Sequence, residues 1–181
     1  MQNKLVYKVG DLISAAQNEE VMFIAHGCNT YCTMGNGIAP LIKAAFPYAY
    51  KVDCQTKKGD PKKLGSFSEA DPTEFDIDTG PIVYNLYTQY GYWGRKEGKR
   101  DLDYNALYNA LSGMAERLHD FDKGDMACHT VGLPKIGAGL AKGDWDIIEL
   151  MIKKTLCQAG HDVIIYVLDE AEIPENADVI K

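Results

Sequence analysis

The chain has 181 residues, 46% of them hydrophobic, and its formal net charge of -7 corresponds to a sequence pI near 5.1. This length and apolar content predict one domain with a substantial core. The acidic balance argues against broad, sequence-independent nucleic-acid binding, which depends on clustered lysines and arginines.

The beginning of the sequence and its cysteines predict a cytoplasmic protein. The first residues contain no basic segment followed by a long apolar stretch, so we expect neither secretion nor a membrane location. The five cysteines are an odd number without the spacing of a disulfide framework, which suits a reducing compartment. No pattern indicates oligomerisation, and we expect a monomer.

The first predicted strand, residues 5–9, ends at Gly10 and Asp11. Asp11 has two interpretations. It is placed to cap a short helix predicted over residues 12–16. It is also a carboxylate at a strand end, able to accept a hydrogen bond from an exocyclic amine. The spacing alone leaves both roles open.

The central segment of the chain combines a strand, a polar loop and a helix. Residues 21–25 form an apolar run typical of a buried strand. His26, Cys28 and Asn29 open the predicted polar loop, and a helical pattern occupies residues 38–46. The rest of the sequence is best understood as support for this segment.

Two glycines mark the entry of this helix, in the sequence Gly35, Asn36, Gly37. The first N–H groups of a helix have no partner inside it, and glycine lets an anion approach the backbone closely. The loop therefore predicts phosphate binding. It is not a P-loop, because Ile38 follows the last glycine where that motif requires lysine. Pro40 is compatible with the first helical turn.

The middle of the chain contains two loops of distinctive composition. Residues 57–63 carry four lysines; we predict a solvated loop, with contact to a polyanion as the alternative. Strands are predicted over residues 64–69 and 81–88. The loop over residues 89–95 is rich in aromatics and glycine, which fits either a lid beside a site or a loop packed on the core.

The C-terminal half contains a second glycine loop. The predicted elements are a helix over residues 103–121, a strand over 126–133, a helix over 144–158 and a strand over 162–168. Residues 134–140, PKIGAGL, lie between the second strand-like run and the following helix. Two glycine loops that follow strands of one sheet are placed to hold a diphosphate from both sides, and this pairing is the main functional signal.

Four motifs in order resemble those of the macro domain family, which binds ADP-ribose. They are Val9-Gly10-Asp11-Leu12, His26-Gly27-Cys28-Asn29, Met34-Gly35-Asn36-Gly37-Ile38-Ala39 and Leu133-Pro134-Lys135-Ile136-Gly137-Ala138-Gly139-Leu140. The resemblance covers residues 5–168. It is closest to the branch with yeast-type ADP-ribose 1''-phosphate phosphatase, the terminal ADP-ribose glycohydrolase and antitoxins that remove ADP-ribose from DNA.

The resemblance implies an α/β fold, a three-layer α/β/α sandwich around a central mixed sheet. Residues 1–170 are then the macro domain, and the acidic residues 171–181 a loosely ordered tail. The implied ligand is ADP-ribose or ADP-ribose 1''-phosphate, without a cofactor. The implied binding residues are Gly10, Asp11, Leu12, Asn29, Gly35, Asn36, Gly37, Ile38, Thr88, Gln89, Pro134, Ile136, Gly137, Ala138, Gly139 and Leu140.

Particular roles follow for four side chains. Asp11 corresponds to the adenine-binding Asp of the family, Asn29 to a residue that contacts the distal ribose, and His26 to a His of the phosphatase branch. The neutral-range pKa of histidine suits proton transfer. Asp144 is placed either to cap the last predicted helix or to serve as a carboxylate base near the distal phosphate.

One departure from the family bears on mechanism. The glycohydrolases of this branch have a nucleophilic Lys and an Asp at positions that hold Gln89 and Ala141 here. An amide is not an amine nucleophile, so the covalent deribosylation mechanism is expected to be absent. The spacing of His26, Cys28 and Cys32 does not match a zinc site, and no metal is predicted.

Three functions remain as hypotheses. The first is hydrolysis of the terminal phosphate of ADP-ribose 1''-phosphate, with His26 and Asp144 in proton transfer. The second is water-mediated ADP-ribosyl hydrolysis on modified protein or nucleic acid. The third is non-catalytic ADP-ribose binding.

Overall fold

The computed structural model describes residues 4–121 and 130–180. Within these residues, six strands form one sheet in the order β1-β6-β5-β2-β4-β3. The strands are β1 (Leu5–Val9), β2 (Phe23–Asn29), β3 (Phe67–Ala70), β4 (Ile82–Gln89), β5 (Thr130–Leu133) and β6 (Asp162–Val167). All neighbours are parallel except β3 and β4, so the sheet is mixed, as predicted.

Helices cover both faces of the sheet. They are α1 (Leu12–Gln17), α2 (Ala39–Ala45), α3 (Pro47–Gln55), α4 (Tyr104–His119) and α5 (Trp145–Ile152), which continues as a π-helical turn over Lys153–Cys157. Successive residues of β2 point to opposite faces: Phe23 and Ala25 pack with residues of α4 and α5, and Ile24 packs with residues of α1, α2 and α3. The α/β/α sandwich is thereby confirmed.

Strand β2 is longer than the sequence predicts. It pairs with β4 along its whole length, up to the pair Asn29 and Gln89. His26, Cys28 and Asn29 therefore belong to the strand, and their assignment to a loop is wrong. Polar residues enter this strand because β4 supplies backbone partners that the local sequence does not reveal.

The lysine-containing segment after α3 is only partly solvated. Lys57, Lys58 and Lys62 are exposed, but Lys63 is 8% exposed, so the prediction of a solvated loop is wrong for this residue. The Lys63 Nζ donates to the Thr30 carbonyl at 3.1 Å and lies 3.6 Å from Asp53 Oδ1.

This buried ion pair is completed by neighbouring polar and aromatic groups. The Tyr87 hydroxyl donates to Asp53 Oδ1 at 2.9 Å, and the Lys63 Nζ lies 4.2 Å from the centre of the Tyr87 ring. A buried charge is tolerated when it is paired and hydrogen bonded. The pair fixes α3 and residues 61–63 against the start of the first glycine loop.

The chain after β6 returns to the edge of the sheet. A short helical turn covers Glu170–Glu172, and the Tyr7 amide and carbonyl of β1 bond the backbone of Asp178 and Ile180 at 2.8 and 2.9 Å. These backbone bonds attach the segment for which composition predicts a loose tail. Residues 126–129 of the predicted fifth strand lie outside the described residues. Across residues 4–121 and 130–180, no helix combines the length and apolarity needed to cross a membrane.

Two glycines of the segment between β5 and α5 differ in the space around them. A Cβ on Gly143 would lie 2.8 Å from the Gly137 carbonyl oxygen and 2.3 Å from a Leu102 methyl, whereas a Cβ on Gly139 would meet nothing within 4 Å. We predict that Gly143→Ala lowers the free energy of unfolding by about 1 to 3 kcal/mol, since backbone must move to accept the methyl group. Gly139→Ala should stay within about 0.5 kcal/mol of the wild type.

Urea denaturation followed by circular dichroism measures both variants. Equal free energies of unfolding for Gly143→Ala and the wild type would contradict this packing.

Candidate functional site

The two glycine loops emerge at one edge of the sheet. The first follows β2 and the second follows β5, and these strands are parallel neighbours, with Phe23 beside Val131 and Ile24 beside Gly132. The carboxyl ends of neighbouring parallel strands lie at the same edge. A crevice of about 310 Å³ lies there, and residues of both loops line it.

The first loop, residues 30–38, has a backbone that a ligand can approach closely. Gly37 lies in the left-handed region with φ +63°. In the part of the chain that the structure describes, the amides of Gly35 and Gly37 have no hydrogen-bond acceptor. Asn29 holds the start of the loop, because its side chain accepts from the Tyr31 amide and donates to the Thr33 hydroxyl, both at 2.8 Å.

The second loop, residues 134–143, is closed by its own backbone. Gly137 has φ +73°, and its carbonyl accepts from the Gly143 amide at 2.8 Å. The Ala141 carbonyl accepts from the amides of Asp101 and Leu102, both at 3.1 Å. The amides of Gly137 and Gly139 lack acceptors among the described residues. Each loop therefore has N–H groups without acceptors in the described part of the chain, and these belong to glycines that line the crevice.

A third segment crosses the rim of the crevice. The short helix Gly94–Glu97 is held by the Asp101 carboxylate, which accepts from the amides of Gly94 and Arg95 at 2.9 and 3.3 Å. The Arg95 guanidinium donates to Asn36 Oδ1 of the first loop at 3.3 Å. Since Arg95 lines the crevice, it brings a permanent positive charge to a site in an acidic protein.

His26 lies in the core and does not line the crevice. It is fully buried, and its Nε2 lies 2.8 Å from Asn85 Oδ1 and 3.6 Å from Cys28 Sγ. Burial lowers the pKa of the imidazole, against the smaller effect of the hydrogen bond to Asn85. This predicted proton-transfer group therefore lies outside the lining of the cavity.

Asp144 is the exposed N-cap of α5 and also lies outside the lining. Its Oδ1 accepts from the Asp146 amide at 3.0 Å, which is the capping role considered from the sequence. Asp11 caps α1 in the same manner, accepting from the Ser14 amide at 2.9 Å and hydroxyl at 2.7 Å. These hydrogen bonds, that of the Ser14 side chain first, lower the pKa of the Asp11 carboxyl.

Most of the predicted binding residues meet in the crevice. Those that line it are Asn29, Gly35, Asn36, Gly37, Ile38, Thr88, Gln89, Pro134, Ile136, Gly137, Gly139 and Leu140. Gly10, Asp11, Leu12 and Ala138 are not in the lining. Gln89 and Ala141, which the resemblance matches to the glycohydrolase Lys and Asp, both line the cavity.

Two carboxylates in the lining, Asp53 and Asp101, are not among the residues predicted from the sequence. Asp53 is 1% exposed on α3, and no local pattern distinguishes it from a surface residue of that helix. Asp101 is far along the chain from both glycine loops. Only the folded arrangement brings them to the cavity, so no local sequence signal could have found them.

Thr88 and Cys28 are two further polar residues that line the crevice. The Thr88 hydroxyl is buried without a partner in the described residues, and a Cβ on Gly27 would lie 3.0 Å from it. Burial raises the pKa of the Cys28 thiol well above its ordinary value, which makes it a poor nucleophile. Among residues 4–121 and 130–180, no cluster of three or more His, Cys, Asp or Glu is arranged to hold a metal ion.

Comparison with known proteins agrees with this architecture. The family model for the Macro domain matches residues 25–152. An uncharacterised 17.5 kDa protein of Enterobacteria phage T4 is 37% identical over 144 residues, which cover 79% of this chain and 84% of that protein. The ADP-ribose 1''-phosphate phosphatase of Debaryomyces hansenii is 30% identical over 168 residues, covering 82% and 92% of the two chains.

A solved structure gives the same result at the level of the fold. Thermosipho africanus DarTG in complex with ADP-ribose superposes with a TM-score of 0.70 at 19% identity, covering 97% of this chain and 44% of that chain. The family match spans well over half of the sequence and includes most of β2 and all of β4 and β5, the strands that form the crevice. The chain belongs to the macro domain family.

Proposed function

We propose that this protein binds ADP-ribose 1''-phosphate in the crevice and hydrolyses its terminal phosphate. The observation that carries the proposal is the pair of facing glycine loops, each with amides that lack acceptors among the described residues. The similarity to a phosphatase of that name, 30% identical along most of both chains, supports this choice of substrate. The related hydrolases of this family make hydrolysis the expected reaction class.

The diphosphate lies between the two loops in this proposal. Amides of Gly35 and Gly37 donate from one side, and amides of Gly137 and Gly139 from the other. Backbone N–H groups suit this task in a chain of net charge -7, because they attract an anion locally where the overall field is mildly repulsive. Arg95 adds one cation at the rim.

The remaining parts of the ligand are assigned by the resemblance to the family. In this proposal Asn29 and Gln89, which line the crevice, contact the distal ribose and its phosphate. Asp11, after the end of β1, accepts from the adenine amine. The capping bonds of Asp11 leave carboxylate lone pairs for this contact, because an ionised carboxylate has about four acceptor sites.

Catalysis in this proposal comes from positioning and from oriented N–H groups that stabilise phosphoryl charge, with water as the nucleophile. His26 contacts Cys28, which lines the crevice, and therefore acts as a positioning residue beneath the site. Asp144 supports the loop as the cap of α5.

A specific observation favours a second candidate, non-catalytic ADP-ribose binding. The described carboxylates of the crevice, Asp53 and Asp101, already accept hydrogen bonds from Tyr87 and from two backbone amides. Neither of the predicted proton-transfer residues reaches the cavity. A site of this kind binds its ligand through the same loops and need not turn it over.

Phosphate release tests the two candidates. We expect the protein to release inorganic phosphate from ADP-ribose 1''-phosphate in the presence of EDTA, and to release no ADP-ribose from modified acidic peptides or modified DNA. Calorimetric binding of ADP-ribose without turnover of any of these substrates would select the non-catalytic function. ADP-ribose released from peptide or DNA would instead select an ADP-ribosyl hydrolase.

Side chains at position 139 test the binding geometry. Gly139→Ala and Gly139→Val should weaken ADP-ribose binding stepwise, with a loss of about tenfold or more for valine, because each added carbon covers the amide that a phosphate approaches. Calorimetry gives the affinities. The space around this glycine predicts an unchanged unfolding midpoint for Gly139→Ala. Unchanged affinity for both variants would contradict phosphate binding at this loop.

The pH dependence of stability tests the role of His26. Its pKa is lowered in the folded protein from the ordinary value of 6.5, so below that pH the unfolded chain binds a proton that the folded chain does not. Stability should therefore fall as the pH decreases from 6.5 towards the folded pKa, by up to about 1.4 kcal/mol per pH unit from this group. Urea denaturation at several pH values measures the slope.

The variant His26→Gln retains a donor for Asn85 without an ionisable ring and should lose this part of the slope. It should also lower the rate of phosphate release by the same factor at every pH, so that the shape of the pH profile stays unchanged. An acidic limb that disappears in His26→Gln would instead make this residue the proton-transfer group.

A further inference from the structure

Four aromatic rings form an exposed cluster beside the crevice. This aromatic surface consists of Tyr31, Tyr90, Tyr92 and Trp93. Trp93 lies 5.3 Å from Tyr31 and 5.4 Å from Tyr92 between ring centres, in edge-to-face contacts. Tyr90, Tyr92 and Trp93 nevertheless remain 37%, 41% and 45% exposed. The cluster is therefore assembled and still open to solvent.

The backbone beneath Trp93 supports the indole ring. A Cβ on Gly91 would lie 2.5 Å from the ring carbons of Trp93, so only glycine allows the indole to lie against the chain at this point. A supported, half-exposed indole is a stacking platform for a planar group.

A basic loop lies directly against this surface. The lysine loop, residues 57–62, presents Lys57, Lys58 and Lys62 to solvent. The carbonyl of its central residue Gly59 accepts from the Tyr90 hydroxyl at 3.2 Å, and a Cβ on Gly59 would lie 3.1 Å from the ring of Tyr31. The lysines and the rings thus belong to one continuous surface.

The charge of these segments opposes that of the chain. The lysine loop and residues 90–100 together contain seven lysines and arginines but two acidic residues, a net charge of +5 in a chain whose total is -7. These two segments therefore carry a net positive charge in an acidic chain. Cations next to a cluster of exposed rings match a ligand that contains both phosphates and planar bases.

We propose that the aromatic surface and the lysine loop bind single-stranded nucleic acid. Bases stack on Trp93 and its neighbouring tyrosines, and Lys57 and Lys58 contact the phosphates. An acidic peptide would pair with the lysines but would gain little binding energy from the rings. The exposed rings therefore favour nucleic acid over an acidic peptide as the ligand. The acidic balance of the chain argues against broad nucleic-acid binding, so the proposed contact with single strands is limited to this one surface, where basic residues are in excess.

Fluorescence anisotropy of the full chain with fluorescein-labelled 12-nucleotide oligo(dT) and oligo(U) tests this proposal. Binding should weaken as salt is raised. Lys57→Gln with Lys58→Gln should weaken it further and reduce the salt slope by about 0.7 for each phosphate that the protein no longer neutralises. Trp93→Leu should lower the affinity about tenfold, and Trp93→Phe should retain most of it, since a phenyl face still stacks a base.

Matched controls separate this surface from general charge. Lys153→Gln with Lys154→Gln removes the same charge from an exposed pair at the end of α5 and should leave oligonucleotide binding unchanged. A labelled oligoglutamate peptide should bind weakly and should not respond to Trp93→Leu. The lysine-loop variant should retain wild-type binding of ADP-ribose, so failure of this proposal is distinguishable from failure of the crevice assignment.

Three results would overturn the proposal. The first is undetectable oligonucleotide binding at low salt. The second is equal weakening by the two lysine pairs, which would indicate non-specific charge effects. The third is oligoglutamate binding as tight as that of the oligonucleotides, which would indicate an acidic-peptide surface.

Discussion

The adjacency of two parallel strands is the constraint on which the site depends. Because β2 and β5 are parallel neighbours in the sheet, the loops that follow them emerge at the same edge. Each loop contains a glycine with positive φ, Gly37 in one and Gly137 in the other. Glycine permits a backbone in which amides are left without internal acceptors, and such amides are suited to bind an anion.

The surroundings of the loops hold this arrangement in place. Beneath the first loop, Lys63 and Asp53 form a buried pair that joins the chain around Thr30 to α3. Beside the second loop, the Ala141 carbonyl ties the segment to the amides of Asp101 and Leu102. Removing one partner of a buried ion pair typically lowers the free energy of unfolding by about 3 to 5 kcal/mol. Such contacts therefore hold the loops of the site in place without needing to touch a ligand.

Local features of the fold and site were predictable from the sequence, and features set by distant contacts were not. Glycine pairs after apolar runs identify the two loops, and an Asp before a helical pattern identifies the cap at Asp144, because both effects act within a few residues. The burial of His26 depends on pairing with β4, and the burial of Lys63 depends on Asp53 in another element. Such partners come together only in the folded chain.

In the proposed function, both glycine loops hold one diphosphate between them. Titration of ¹⁵N-labelled protein with ADP-ribose, followed by amide chemical shifts, measures this directly. We expect the amide resonances of Gly35, Gly37, Gly137 and Gly139 to shift together along one binding isotherm. Shifts confined to one loop, or concentrated on residues outside the crevice, would contradict it.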